Sequence, residues 1–214
     1  GFILPKFFLE NCGAYLAAIR SIGRTEEYFY MPVFESAAMI PPQTRREALT
    51  EVRAQLDTVS GSILNIRVGG NDLSHAFGLR RPANRTIYDL RPVADILIDI
   101  VAAFGTQYVV SGPVWEYYSG EGWEEGLRRE MELDLLNGFT GKTVIHPNQI
   151  PVVNEMLRVS QRDYADARAI LNWDTGSGSL VSASEDGGRM NEYNTHSRWA
   201  RRIVLRAERY GVRA

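Results

Sequence analysis

The chain has 214 residues, of which 44% are hydrophobic and 23% are charged, so it can bury one sizeable core and has an ordinary globular composition. Its formal net charge is -2 and its pI is about 6.0, which favours neither a nucleic acid nor an anionic membrane as a partner. No apolar run approaches the roughly 18 residues that a membrane span needs, and a single cysteine excludes an internal disulfide. These features predict a cytoplasmic protein with no membrane or nucleic-acid partner.

Short apolar runs alternate with longer segments of helical periodicity in the first 150 residues. The strand-like runs lie at 2–4, 28–34, 63–68, 108–110 and 143–145. The helix-like segments lie at 8–20, 44–56, 90–104 and 123–136, with Gly23 as the predicted stop of the first one. Strict strand–helix alternation predicts an α/β fold in which helices pack on a parallel sheet.

The pattern changes after residue 160. A helical stretch at 161–173 is followed by residues 174–188, which are rich in Gly, Ser and Asp and are typical of a surface loop. A second helix is predicted at 194–210, and its apolar stripe contains Trp199, Ile203, Val204 and Ala207. We therefore expect residues 1–160 to form the sheet-containing part and residues 161–214 to form a helical arm of the same domain.

Polar residues follow the predicted strands at the point where each strand ends. These residues are Glu35, Asn71 and Asp72, Ser111, and His146. Both a doubly wound sheet and a (β/α)8 barrel place strand ends together, but the sequence contains no glycine-rich nucleotide fingerprint, which favours the barrel. Gly141-Lys142-Thr143 superficially looks like a phosphate-binding loop, yet the upstream glycine spacing is absent and no helix follows, so that interpretation is rejected.

Two carboxylates on neighbouring strand ends can share one hard cation, and Mg²⁺ favours such a pair together with water and substrate. Glu35 and Asp72 are the candidates, and Gly69 and Gly70 would allow a tight turn and close backbone approach before Asp72. The structural alternatives are a buried salt bridge for Glu35 and a helix cap for Asp72. For His146 the alternative to a functional role is a structural hydrogen bond.

Seven sequence motifs occur in a fixed order along the chain. They are Leu4-Pro5-Lys6, Pro32-Val33-Phe34-Glu35-Ser36, Gly69-Gly70-Asn71-Asp72-Leu73, Gly138-Phe139-Thr140-Gly141-Lys142, Ile145-His146-Pro147-Asn148-Gln149-Ile150, Gly188-Arg189-Met190-Asn191-Glu192 and Trp199-Ala200-Arg201-Arg202. This succession resembles the superfamily of the citrate lyase β-subunit and the HpcH/HpaI aldolases. The resemblance covers nearly the whole chain. The C-terminal tail is most similar to a bacterial branch known only as carbon–carbon bond lyases of the barrel fold.

The resemblance implies a (β/α)8 TIM barrel of which this chain would hold strands four to eight and the C-terminal arm. The first three units, with the arginine that polarises the substrate carbonyl, are expected to precede Gly1. In the superfamily a glutamate after the fifth strand and an aspartate after the sixth bind Mg²⁺, which corresponds to Glu35 and Asp72 here. Mn²⁺ is the alternative metal.

The implied activity is a Mg²⁺-dependent lyase or aldolase that acts on a 2-oxo acid, β-hydroxy acid or acyl-CoA through a metal-stabilised enolate. Lys6 and His146 are the catalytic candidates, and the residues expected to bind substrate are Gly70, Asn71, Ser111 and Pro113. A CoA site is left open because no adenine or pyrophosphate site stands out. A homo-oligomer, a trimer or a multiple of it, is expected. The alternatives are a Schiff-base aldolase and a catalytically silent barrel that serves as a binding or assembly subunit.

Overall fold

The computed structural model describes residues 1–22, 27–174, 176 and 179–213. The chain forms two compact units, Gly1–Val152 and Val153–Ala214. The first unit contains a five-stranded parallel sheet in which the spatial order of the strands follows their order in the chain. Its strands are β1 (Phe2–Leu4), β2 (Tyr30–Phe34), β3 (Ile66–Val68), β4 (Val110–Gly112) and β5 (Gly141–Lys142). The predicted α/β fold with a parallel sheet is confirmed, while the division at residue 160 stays a prediction.

Helices follow the strands, and four of them correspond to the helix-like segments of the sequence at 8–20, 44–56, 90–104 and 123–136. The helices are α1 (Leu9–Ser21), α2 (Pro42–Asp57), α3 (Gly70–Ala76), α4 (Arg91–Phe104), α5 (Trp123–Leu136) and α6 (Gln149–Met156), the last of which includes the boundary between the units. Helix α2 begins with Pro42, where the missing N–H costs no helical hydrogen bond. Its Val52 and Leu56 lie one turn apart and are fully buried. Gly23, the predicted stop of the first helix, lies outside the described residues.

Side chains of the sheet alternate between two faces. Phe34, Ile66 and Val110 are almost completely buried and belong to the core that the sheet shares with the helices. Val33 and Arg67 are paired across β2 and β3 and only half-buried, and both line a cavity. Because strand residues point alternately to opposite sides, these two lie on the sheet face away from the helices.

The fifth strand was predicted at 143–145, and this position is wrong. Strand β5 ends before Thr143, whose N–H still donates to the Gly112 carbonyl at 3.1 Å. The backbone then leaves the sheet, because the Ile145 N–H donates to the side chain of Gln149 at 2.9 Å. The Ile145 residue is 53% exposed, so this part of the apolar run belongs to the rim beyond the strand.

A buried group of charged side chains joins α5 to the sheet. The Lys142 ammonium lies 2.7 Å from a Glu130 carboxylate oxygen and 2.8 Å from an Asp134 oxygen, and no side chain of the three is more than 1% exposed. Arg81 donates to Glu130 at 3.1 Å, and the Tyr88 hydroxyl donates to Asp134 at 2.7 Å. Burial, only partly opposed by Lys142, raises the pKa of the Asp134 carboxyl. Lys142 is thus an internal counter-ion, in agreement with the rejection of a phosphate loop.

The second unit consists of short strands and two long helices. Its elements are β6 (Val159–Ser160), α7 (Gln161–Leu171), β7 (Val181–Ala183), β8 (Met190–Glu192), α8 (Tyr193–Tyr210) and β9 (Val212–Arg213). Helices α7 and α8 pack together around a small core that includes Ile170, Ile203 and Ala207. The predicted terminal helix and its apolar stripe are confirmed. None of the helices in the described residues combines the length and apolar character that crossing a bilayer requires.

The predicted surface loop at 174–188 is only partly correct. Residues 175, 177 and 178 lie outside the described residues, but β7 falls inside this range and pairs antiparallel with β8. The Asp186 carboxylate organises the connecting turn by accepting from the Ser184 hydroxyl at 2.6 Å and from the Gly188 N–H at 3.0 Å. Composition alone indicated a loop because the turn residues outnumber the apolar ones.

Candidate active site

Strand β2 delivers Glu35 to the carboxyl end of the sheet. The preceding residue, Phe34, is completely buried and fixes the end of the strand. The Glu35 carboxylate accepts a hydrogen bond of 3.0 Å from the backbone N–H of Lys6, which follows the neighbouring strand β1. The sequence left open a buried salt bridge for Glu35, but in the described part of the chain this carboxylate is held by a backbone N–H.

Asp72 lies in the first turn of α3, which begins directly after β3. A carboxylate is favoured there because the N-terminal end of a helix carries partial positive charge. The N-cap of α3 is Gly69 and has no side-chain cap, so Asp72 is not the N-cap that the alternative interpretation required. Its side chain is 47% exposed and lies 3.0 Å from the Lys6 ammonium.

Lys6 contacts both acidic residues. Its backbone N–H bonds to Glu35 and its ammonium bonds to Asp72. Among the described residues it is the only non-glycine residue with a positive φ, 50°, and the Asn11 side chain holds this conformation by donating to the Lys6 carbonyl at 2.7 Å. The hydrogen bond and charge of Asp72, with a smaller contribution from Glu35, raise the pKa of Lys6. A strained residue that bridges two carboxylates is typical of a functional site.

A glycine is required at position 69 because the Glu35 side chain lies close to the backbone there. The φ of Gly69 is −89°, which any residue can adopt, so no tight left-handed turn occurs here. A Cβ at this position would overlap with the Glu35 carboxylate and with the Glu35 Cβ. Gly70 is equally confined, since a Cβ there would lie 2.7 Å from Pro113. The two glycines therefore leave room for Glu35 and Pro113 beside the start of α3.

Both carboxylates line one cavity of about 230 Å³ at the carboxyl ends of the strands. Its lining consists of Val33, Glu35, Arg67, Val68, Gly69, Gly70, Asn71, Asp72, Val114, Thr143 and Ile145. Arg67 and Thr143 were not identified from the sequence. The usable signal for Arg67 was a charged residue between Ile66 and Val68 in the middle of an apolar strand. Within the described residues no group of three His, Cys, Asp or Glu side chains is arranged to hold a metal ion.

Lys6 and three other predicted site residues lie near this cavity but do not belong to its lining. Ser111 is buried and its hydroxyl accepts from Asn65 at 2.6 Å. Pro113 packs against Gly70. The His146 ring stacks on Tyr118 with centroids 4.3 Å apart, and its Nδ1 accepts from the Asn148 N–H at 3.2 Å. Gly70 and Asn71 do line the cavity, and the roles of all these residues stay predictions.

The comparison with known families decides the family. A family model for C–C bond lyases of the TIM-barrel fold matches residues 1–212. The chain belongs to this lyase family. The resemblance to carbon–carbon lyases that the motifs indicated is therefore confirmed, and the five-stranded parallel sheet with its helices agrees with a family of the TIM-barrel fold.

One curated relative of this chain is the L-malyl-CoA/β-methylmalyl-CoA lyase of Cereibacter sphaeroides, 38% identical over 74 residues, which are 34% of this chain and 22% of the relative.

The solved structures that share the fold of this chain include three from bacteria. RipC of Yersinia pestis is 18% identical with a TM-score of 0.53, covering 72% of this chain and 61% of RipC. CitE of Mycobacterium tuberculosis, in complex with magnesium, acetoacetate and coenzyme A, is 20% identical with a TM-score of 0.61. The match covers 96% of this chain and 77% of CitE. A citrate lyase of Burkholderia xenovorans LB400 is 16% identical with a TM-score of 0.69. The match covers 99% of this chain and 64% of the citrate lyase.

The matches extend over only part of several relatives. The matched residues of this chain correspond to less than a quarter of the malyl-CoA lyase and to just over three fifths of RipC. At 16% to 20% identity the solved structures establish the fold alone.

Proposed function

We propose that this chain carries the metal site of a Mg²⁺-dependent carbon–carbon lyase for a carboxylate-bearing substrate, a 2-oxo acid, β-hydroxy acid or acyl-CoA. The observation that carries the proposal is the convergence of Glu35 and Asp72. They follow the neighbouring strands β2 and β3, line one cavity, and are bridged by a single lysine. The magnesium and acetoacetate bound by the M. tuberculosis relative support the same type of chemistry.

The residues present fit Mg²⁺. Two carboxylates are sufficient, because Mg²⁺ keeps several waters and takes only one or two protein carboxylates in sites of this kind. Lys6 already places a cation 3.0 Å from Asp72, so this position is suited to positive charge. The space beside Gly69, which a Cβ would close, admits the Glu35 carboxylate. Glu35 and Asp72 would hold the metal, with Mn²⁺ as a substitute.

The proposed cleavage breaks the bond between the α and β carbons of a β-hydroxy acid or its thioester. The β-hydroxyl loses its proton and becomes a carbonyl, while the bonding electrons form an enolate that is then protonated on carbon. When bound, Mg²⁺ supplies a Lewis acid that stabilises negative charge on oxygen. The N–H groups of Gly70 and Asn71, at the start of α3, would orient the substrate carboxylate.

Lys6 and His146 are proposed to assist the reaction. Lys6 would add positive charge beside the developing oxyanion once Asp72 is engaged by the metal. His146 would reach the substrate only if it left Tyr118, on which it is stacked. Ser111 and Pro113 are proposed to shape the substrate site from the adjoining strand β4.

The arrangement of the whole protein is also a proposal. Strands β1 to β5 would correspond to strands four to eight of a barrel, with three further units and the carbonyl-polarising arginine supplied outside this sequence. We further propose a cytoplasmic homo-oligomer, a trimer or a multiple of it. The coenzyme A bound by the M. tuberculosis relative makes an acyl-CoA substrate one candidate here.

Proton exchange tests the proposed function without knowledge of the complete substrate. The protein is incubated in D₂O with Mg²⁺ and either pyruvate or acetyl-CoA, and the methyl signal is followed by proton NMR. Enolate formation exchanges these protons, so we expect protein-dependent loss of the signal with at least one compound and its suppression by EDTA.

An Asp95→Asn variant is the control, because Asp95 lies on α4 with its side chain 61% exposed and pairs only loosely with Arg91 at 3.7 Å. It is expected to exchange protons at the wild-type rate. If neither compound exchanges while the protein still binds Mg²⁺, the lyase proposal fails and the silent binding subunit is favoured.

Removing the lysine tests whether Lys6 competes with the metal. In Lys6→Met, Asp72 loses its cationic partner, and we expect Mn²⁺ affinity to rise by no more than about fivefold, since exposed ion pairs are weak. Proton exchange is expected to fall in the same variant if Lys6 stabilises the oxyanion. Mn²⁺ affinity is measured by electron paramagnetic resonance, and an unchanged or lower affinity would contradict the competition.

Closing the space beside Glu35 tests the role of Gly69. In Gly69→Ala the new methyl would overlap with the Glu35 carboxylate and displace it, so Mn²⁺ affinity is expected to fall on the order of tenfold. Overpacking of this kind also costs about 1–3 kcal/mol of stability. The control is Gly13→Ala in α1, where nothing lies within 4 Å of the added Cβ. That variant is expected to bind Mn²⁺ like the wild type, and equal affinities in both variants would argue against metal binding by Glu35.

A further inference from the structure

We propose that Arg67, assisted by Thr143, binds a second anionic group of the substrate, so that the substrate of this site is a small dicarboxylate. The inference rests on the lyase activity proposed above and names its substrate class. It is drawn from a charged residue in the cavity to which neither the sequence motifs nor the relatives assign a role.

Arg67 is placed on the sheet face that lines the cavity. It is the central residue of β3, between Ile66 and Val68, which are 0% and 2% exposed and point into the core. Its backbone pairs with Val33 on one side and Ser111 on the other. Alternation along the strand therefore turns the guanidinium towards the cavity that also contains Glu35 and Asp72.

The guanidinium retains most of its binding capacity. In the described part of the chain, Arg67 Nη2 donates a long hydrogen bond of 3.4 Å to the Thr143 hydroxyl. No carboxylate among the described residues forms an ion pair with it. A half-buried arginine without a carboxylate partner can form charge-assisted hydrogen bonds with an anion that enters the cavity.

The charges of the site match a dianion. Within the cavity and at its edge, Glu35 and Asp72 contribute two negative charges, and Lys6 and Arg67 contribute two positive charges. The protein groups alone are therefore neutral, and a divalent cation would leave an excess of two positive charges. A substrate with one carboxylate beside Glu35 and Asp72 and a second carboxylate at Arg67 restores neutrality.

The geometry of the groups favours a carboxylate over a neutral substituent at Arg67. A guanidinium presents parallel N–H donors that match the two oxygens of a carboxylate, and the Thr143 hydroxyl can donate a further hydrogen bond. The cavity volume of about 230 Å³ is below the roughly 300–1,000 Å³ of sites for drug-sized ligands, so a compound with few carbon atoms fits.

Calorimetric titration of two matched 2-hydroxy acids tests the inference. Malate and lactate share the 2-hydroxycarboxylate group, but only malate carries a second carboxylate, and their enantiomers are titrated separately in the presence of Mg²⁺. We expect the wild type to bind one malate enantiomer at least about tenfold more tightly than lactate, because charge-assisted hydrogen bonds are strong. Arg67→Met is expected to remove this preference and leave lactate binding unchanged.

Further variants separate charge from fold and from the proposed activity. Arg67→Lys keeps the charge without the paired donors and is expected to retain part of the malate preference, and circular dichroism checks that both variants fold. Arg91→Met, which alters a side chain 82% exposed on α4, is the control and is expected to bind like the wild type. Equal affinities for malate and lactate in the wild type, or equal losses of both in Arg67→Met, would overturn the inference. Binding of both acids that does not depend on Mg²⁺ would instead count against the metal-dependent function.

Discussion

Asp72→Asn is expected to reduce Mg²⁺-dependent proton exchange by more than about 100-fold. The change is nearly isosteric, and the Asp72 side chain is about half exposed, so the fold is expected to persist. It removes one of the two negative charges proposed to hold the cation. Loss of a group that only supports a metal ligand costs about 10–100-fold in metal affinity or activity, and loss of a ligand itself is expected to cost more. Proton exchange is measured by NMR at several Mg²⁺ concentrations, with circular dichroism to verify folding.

The matched control is again Asp95→Asn, which makes the same chemical change on an exposed part of α4. It separates the loss of a metal ligand from a general loss of negative charge. Activity of Asp72→Asn at the wild-type level with saturating Mg²⁺ would contradict the assignment of Asp72. Partial recovery at high Mg²⁺ would agree with it, because a weakened site can still be filled by mass action.

Lys142→Met is expected to lower stability more than any other single change discussed above. It would leave the fully buried carboxylates of Glu130 and Asp134 without the ammonium that lies 2.7 and 2.8 Å away. Breaking a buried ion pair from one side costs about 3–5 kcal/mol. For a chain of this size the melting temperature is therefore expected to fall on the order of 10 °C, as measured by differential scanning calorimetry.

The pH dependence of this loss identifies its cause. Burial already raises the pKa of Asp134, and losing Lys142 would raise it further. A carboxyl whose pKa is higher in the folded state than in the unfolded state lowers the stability of the fold at high pH. This destabilisation decreases as the pH falls below the raised pKa, and it is absent below the pKa of the unfolded state. The stability difference between Lys142→Met and the wild type is therefore expected to narrow on acidification. Arg91→Met, at an exposed pair, is the control, and a loss of similar size there would contradict the role of burial.

Much of the fold could be predicted from periodicity. Helix α4 was recognisable because its apolar residues recur at helical spacing, and the buried residues of this face include Ile96, Leu97 and Ile100. Strand β2 was recognisable from its apolar and aromatic run, although its first residue is Tyr30 and not Tyr28. Strand β5 was misplaced because a strand of two residues carries no period of its own.

The candidate site was predictable only where a residue follows a strand. Glu35 and Asp72 satisfy this condition, and the structure brings both to one cavity. Arg67 was missed because it lies within a strand, and whether a strand residue faces the core or a cavity depends on the packing of the helices. The ion pairs of Lys142 could not be predicted either, because Glu130 and Asp134 are two of several acidic residues in the helix at 123–136 and its sequence does not show which of them are buried.

The most direct test of the metal site is a crystal structure of the protein with Mn²⁺, which scatters anomalously and substitutes for Mg²⁺. We predict an anomalous difference peak within about 2.1–2.2 Å of one carboxylate oxygen of Glu35 and one of Asp72, the distance at which ions of this size bind oxygen. We also predict that the Lys6 ammonium leaves its position 3.0 Å from Asp72. The same soak of Asp72→Asn is expected to show no peak there. A well-ordered cavity without a peak at millimolar Mn²⁺, or a peak bonded to neither carboxylate, would contradict the account.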